Sequence, residues 1–158
     1  MKFSDGNWLL PAGMSILNPH HVHAVRTDAR KAEILALAVR GRGRADQINA
    51  PALTVTLTAP MEGIIGVRID HHKGAAKRGP AFELLPDASF RPTIVDGEDT
   101  LTFTSGDLTL TISKDGDWRT EATRAGKRLT GTGFRETGHA SVAGEPAHVF
   151  ERLDLEVG

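Results

Sequence analysis

The stretch TLTFTSGDLTLTIS, residues 100–113, alternates apolar and polar side chains with a period of two. Leu101 and Phe103 fall on one side of the first arm, and Leu108, Leu110 and Ile112 on one side of the second. Threonines take the opposite side, where a branched Cβ suits the pleat and the hydroxyl stays in water. Ser105-Gly106-Asp107 breaks the run where a tight turn belongs. A helix would scatter these apolar residues around its circumference, so the stretch is expected to be a half-buried β-hairpin.

The same device recurs along the chain. LTVTLT (53–58) sets Leu53, Val55 and Leu57 against three threonines, and GIIGVRIDH (63–71) sets Ile65, Val67 and Ile69 on one face. HVHAVRTD (21–28) and AEILALAVR (32–40) are separated by a short polar turn around Arg30, although 32–40 also fits a helix. Residues 114–130 read as a turn, a strand through Trp118, an Ala-Gly-Lys turn and a further strand, and 147–158 as one long closing strand. Turn signals such as Asp-Gly, Ser-Gly and Ala-Gly come at the spacing of a sandwich. The expected fold is all-β, an antiparallel β-sandwich forming one domain over residues 1–158.

At 158 residues the chain is long enough to bury a core of its own. With no cysteine it has no disulfide, thiolate metal site or cysteine nucleophile. The opening MKFSDGNWLLPAG lacks a signal-peptide apolar run, and no window reaches membrane-span length. A cytoplasmic protein with no membrane partner is the expectation. Net charge is −1, which provides no global field for nucleic acid. The halves differ, with 11 Lys/Arg against 6 Asp/Glu in residues 1–79 and 8 against 14 in 80–158. Packing of one half on the other would neutralise part of this difference.

Candidate chemistry is sparse. His20, His21 and His23 cluster, and the last two share a strand face about 7 Å apart, but a zinc site needs further ligands. His71 and His72 are adjacent on an extended chain and point to opposite faces, so they do not share an ion. They read as the place where a strand leaves the sheet. His139 and His148 stand isolated in sequence. RGRGR (40–44) has no aromatic stacking platform for nucleic acid and reads as a solvated loop. KGAAKRG (73–79) lacks both the Gly-Lys phosphate-loop pattern and a following helix. Asp96, Glu98 and Asp99, like Asp115 and Asp117, flank glycines as turn residues do. No catalytic, cofactor-binding or metal residue is assigned.

The opening MKFSDGNWLLPAGMSILNP with HVHAVR, the segment PALTVTLTAPMEGIIGVRIDHHKG, and RGPAFELLPD together resemble bacterial α-xylosidases of glycoside hydrolase family 31. The resemblance continues through the SGDLTLTIS hairpin and AGKRLT to LDLEVG, and so covers essentially the whole chain. It implies a galactose-mutarotase-like N-terminal sandwich, followed in the parent enzyme by a catalytic (β/α)8 barrel that lies outside these residues. The implied activity is retaining hydrolysis of terminal α-linked xylose or glucose, with two carboxyl groups roughly 5 Å apart and no cofactor. The implied partners are the parent's own barrel, its carbohydrate substrate and further copies in a homo-oligomer.

The apolar ending LDLEVG is what a piece of a longer chain would show. An apolar patch where the barrel would sit is also expected, with Phe82, Leu84, Leu85, Phe90 and Phe134 as contributors. The alternative is a freestanding carbohydrate-binding module. Such modules stack sugars on exposed aromatics, whereas here aromatics are 5% of residues, with no tyrosine and with Trp8 and Trp118 far apart.

Overall fold

The computed structural model describes residues 10, 12–38, 51–71, 86–146 and 148–155. Twelve strands and no helix occur among them. A four-stranded sheet has the order β2-β3-β4-β5, from β2 (His21–Thr27), β3 (Lys31–Leu37), β4 (Ala52–Thr58) and β5 (Gly66–Asp70). A five-stranded sheet has the order β10-β9-β8-β7-β6, from β6 (Thr93–Asp96), β7 (Thr100–Ser105), β8 (Leu108–Ser113), β9 (Thr120–Arg124) and β10 (Lys127–Thr132). A third sheet sets β11 (Thr137–Val142) between β1 (Met14–Leu17) and β12 (His148–Glu151). Every pairing is antiparallel.

The period-two faces expected from the sequence make the core. Ile34, Ala36, Val55 and Leu57 of the four-stranded sheet pack with Leu101, Phe103, Leu110 and Ile112 of the five-stranded one. The pairings Leu101↔Ile112 and Phe103↔Leu110 put these side chains on one face of the β7–β8 hairpin. Gly106 opens its turn at φ +63, the conformation a two-residue hairpin asks of its first position. The neighbouring turn has Ala125 at φ 47 before Gly126 at φ 80, so both positions are left-handed and only the second is glycine. Ser105, fully buried, donates from Oγ to the Met61 carbonyl at 3.1 Å and ties the hairpin to the β4–β5 loop.

Several expectations change. The ambiguous run 32–40 is a strand through Leu37, buried at alternate positions between two partners. Along β2 the register shifts between Val22 and Ala24, so a bulge at His23 brings Val25 rather than Ala24 to the core face. Trp118 precedes β9 instead of lying in it and is buried. The closing strand is split. After β12 the Arg152 amide donates to Glu136 and the Asp154 amide to Gly131, so the chain leaves the third sheet and runs along β10.

In the third sheet Gly138 sits opposite Phe150. A Cβ at Gly138 would come within 2.7 Å of the Phe150 ring and 2.9 Å of Asn18 Nδ2. The ring therefore lies over bare backbone. Asn18 donates from the same nitrogen to the carbonyls of Thr137 at 2.8 Å and Arg135 at 3.1 Å, which holds the start of β11.

Candidate functional site

Four of the expected histidines fall into three surroundings. His20 faces Asp117 at 3.9 Å, and His148 faces Glu145 at 3.8 Å. His21 and His23 meet edge to face with ring centroids 6.5 Å apart. His71 follows β5 directly, in agreement with a strand leaving its sheet, while His72 lies outside the described residues. The isolation expected for His139 does not hold. Its ring packs on that of His71 at 3.9 Å, joining the third sheet to the end of β5. His139 is buried and neither ring nitrogen has a partner. Burial, reinforced by the nearby His71, pushes its pKa below the ordinary histidine value. A shared metal ion would require the two rings to converge on it at greater separation than this contact gives. Among the described residues no three His, Asp or Glu side chains are grouped as metal ligands.

Among the turn carboxylates, Asp96 is held by a cation and Asp28 by backbone amides. Asp96 pairs with Lys114 at 2.8 Å, and the Lys114 amide donates to the Asp99 carbonyl at 2.7 Å, so the β6–β7 and β8–β9 turns are stitched together. Asp28 accepts from the Arg30 and Lys31 amides at 2.8 and 3.0 Å, and these bonds lower its pKa. Asp70 is buried but held by Arg68 through Nε at 2.9 Å. The runs 40–44 and 73–79 lie outside the described residues.

Of the concavities among the described residues, two bear on ligand binding. The larger, about 780 Å³, is polar and bounded by Arg119, Glu121, Arg128, Glu136, Asp154 and Leu155, among others. Arg128 bridges Glu121 at 3.5 Å and Asp154 at 2.9 Å, and Glu136 accepts from the Gly133 amide. Its carboxylates are thus already engaged, and no aromatic ring lines it. It offers hydrogen bonds to a polar ligand but no flat platform for a sugar face.

The smaller concavity, about 280 Å³, is apolar and opens between β5 and the five-stranded sheet. Val55, Ile65, Val67, Ile69, Leu110 and Trp118 form much of its wall, and Glu151 and Leu153 come to its rim. The Trp118 Nε1–H is buried there without an acceptor. Glu151 keeps solvent contact yet is crowded by its surroundings, and this loss of water pushes its carboxyl pKa up. Trp118 was the residue on which a sugar-stacking role could have rested. Buried in the core, it presents no exposed ring.

No protein-family model matches the chain. It aligns over its full length with an α-xylosidase of Emericella nidulans, at 29% identity, and spans 23% of that protein. It aligns over 82% of its length with α-xylosidase XylQ of Lactiplantibacillus pentosus, at 28% identity, and spans 17% of it. The chain is α-xylosidase-like in sequence. The resemblance to these glycoside hydrolases read from the sequence is therefore found independently, and the chain spans less than a quarter of the curated relatives it matches.

Solved structures agree on fold. An uncharacterized protein, lmo2446, of Listeria monocytogenes EGD-e superposes with a TM-score of 0.57 at 17% identity. The cycloalternan-forming enzyme of Listeria monocytogenes, solved with a pentasaccharide substrate, gives the same values. Each match covers 81% of this chain and 11% of the other.

The His71–His139 contact and the apolar opening beside β5 were missed by sequence reasoning. The histidines lie far apart in the chain, and no local pattern links them. The opening had a partial signal, since Ile65, Val67 and Ile69 read as a core face. What covers that face is decided by the other sheet.

Proposed function

We propose that residues 1–158 are the non-catalytic N-terminal sandwich, galactose-mutarotase-like in kind, of a retaining α-glycosidase. The parent enzyme removes terminal α-linked xylose or glucose with carboxyl groups supplied by a catalytic barrel in a longer polypeptide. The observation that carries this reading is extent: the whole chain aligns with an α-xylosidase of which it spans 23%.

In this reading the sandwich packs on the barrel and walls its active site. Carbohydrate substrate and homo-oligomer contacts belong to the parent enzyme, which works in the cytoplasm without metal or organic cofactor. Nucleic acid and membrane are not partners. A freestanding carbohydrate-binding module is disfavoured by the burial of Trp118.

The test compares residues 1–158 with the product of the longer reading frame on chromogenic α-xyloside and α-glucoside. Turnover is expected only from the longer product. Hydrolysis by residues 1–158 alone, or a longer product inert on both substrates, overturns the proposal.

A further inference from the structure

Among the described residues the sandwich is closed along one side and has a cleft along the other. β2 approaches β6 across the two sheets, whereas Val67 and Ile69 of β5 face Leu108, Leu110 and Ala122 of the five-stranded sheet across the apolar cleft. The cross-strand pair Leu57↔Val67 measures the difference. Both side chains lie on the same face of the sheet, yet Leu57 is 0% exposed and Val67 47%. The five-stranded sheet thus covers Leu57 and leaves Val67 half exposed, while Ile69, two residues further along β5, still packs on the core. Leu153 is also exposed at the rim, beside Glu151.

β5 is an edge strand, with β4 on one side and no described strand on the other. Its second row of backbone N–H and C=O groups is thus a template for strand addition. An apolar opening next to such an edge is the kind of surface that folded proteins cover. The cavity of about 280 Å³ is roughly twice the ~150 Å³ that accommodates a benzene molecule. It therefore has room for two large apolar side chains, and alternate residues of one strand would direct two such side chains to the same face.

We propose that an extended segment of the longer polypeptide invoked above adds to the edge of β5 that no described strand pairs and fills this cleft with two apolar side chains at alternate positions. The inference rests on the reading of the chain as part of a longer enzyme. The choice of occupant follows from length, because more than three-quarters of each curated relative lies outside the part this chain spans. It also follows from path, because Leu153 is at the rim and the Asp154 amide is bonded to Gly131.

Hydrogen–deuterium exchange on residues 1–158 and on the longer product tests the proposal. In the short chain the outward-pointing amides of residues 66–70 are expected to exchange freely and the cleft to bind the apolar dye ANS. Val67→Lys, at an exposed position, should abolish the dye signal without unfolding the chain. In the longer product those amides should exchange ~100-fold more slowly, as in a paired strand, and the dye should no longer bind.

A longer product that hydrolyses α-xyloside yet leaves the β5 amides unprotected overturns the cleft assignment and leaves the proposed function standing. Protection of β5 in the short chain also overturns it: light scattering that shows a dimer makes a second copy the occupant, and a monomer makes it a segment of the same 158 residues. A longer product with protected β5 amides and no hydrolase activity supports the cleft assignment while the functional reading fails.

Discussion

Replacing Gly138 with alanine is expected to damage the third sheet through one added methyl group. The new Cβ would lie 2.7 Å from two carbons of the Phe150 ring and 2.9 Å from Asn18 Nδ2. Both neighbours are constrained: Phe150 by its place opposite Gly138 in β12, and Asn18 by the Thr137 and Arg135 carbonyls. Overpacking of this kind costs about 1–3 kcal/mol, and loss of the Asn18–Thr137 hydrogen bond adds about 1 kcal/mol. The sum, about 2–4 kcal/mol, corresponds to a fall in Tm of roughly 5–15 °C for a domain of this size.

Urea denaturation followed by tryptophan fluorescence, repeated with Phe150→Ala alone and with both substitutions, isolates the steric contribution. In the Phe150→Ala background the cost of Gly138→Ala should drop by ~1 kcal/mol or more, because the ring no longer occupies the space. Costs that add to within about 0.5 kcal/mol, or a Gly138→Ala chain as stable as the parent, would refute the steric account.

Three further outcomes are expected. Phe103→Ala, at a fully buried site in the core, should cost about 3–5 kcal/mol in the same denaturation assay. Ala125→Asn should stabilise the chain by about 0.5–1 kcal/mol, since asparagine tolerates the left-handed conformation that Ala125 adopts at φ 47. His139 has a folded-state pKa below its ordinary value of 6.5, so the unfolded chain binds the proton more readily. Stability should therefore decline as pH falls from about 6.5 toward the folded pKa, and His139→Phe should flatten that part of the denaturation profile.

The main sandwich was legible because its signal is local. In β4, β7 and β8 threonine alternates with leucine, valine, isoleucine or phenylalanine, and the apolar set is the core. The third sheet was less legible. TGHASV has no apolar alternation, and its glycine is explained only by Phe150, which lies on another strand. β1 and β6, at four residues each, are too short for a period to stand out.

The same contrast governs the candidate site. His139 looked solitary because its partner His71 is brought to it by sheet packing. Trp118, a residue that could have stacked a sugar, turns inward. Of the residues expected to form an apolar surface, Phe134 is exposed with the Arg135 guanidinium 4.7 Å from its ring centroid, and Phe90 is partly buried. Phe82, Leu84 and Leu85 lie outside the described residues. The exposed apolar side chains that line the cleft are Val67 and Leu153.

The pairing of β1 with β11 has a consequence for the order of events on the ribosome. Met14 is matched to Val142 and Leu17 to His139, so β1 has no partner until β11 has been made. The β7–β8 hairpin closes over two residues and is complete as soon as it is translated. The third sheet instead depends on closing all the chain between Leu17 and His139 into a loop, a slow step governed by sequence separation. Until then β1 exposes Met14 and Ile16 with no partner strand. During that interval a chaperone, or a neighbouring nascent chain, competes with β11 for the same edge.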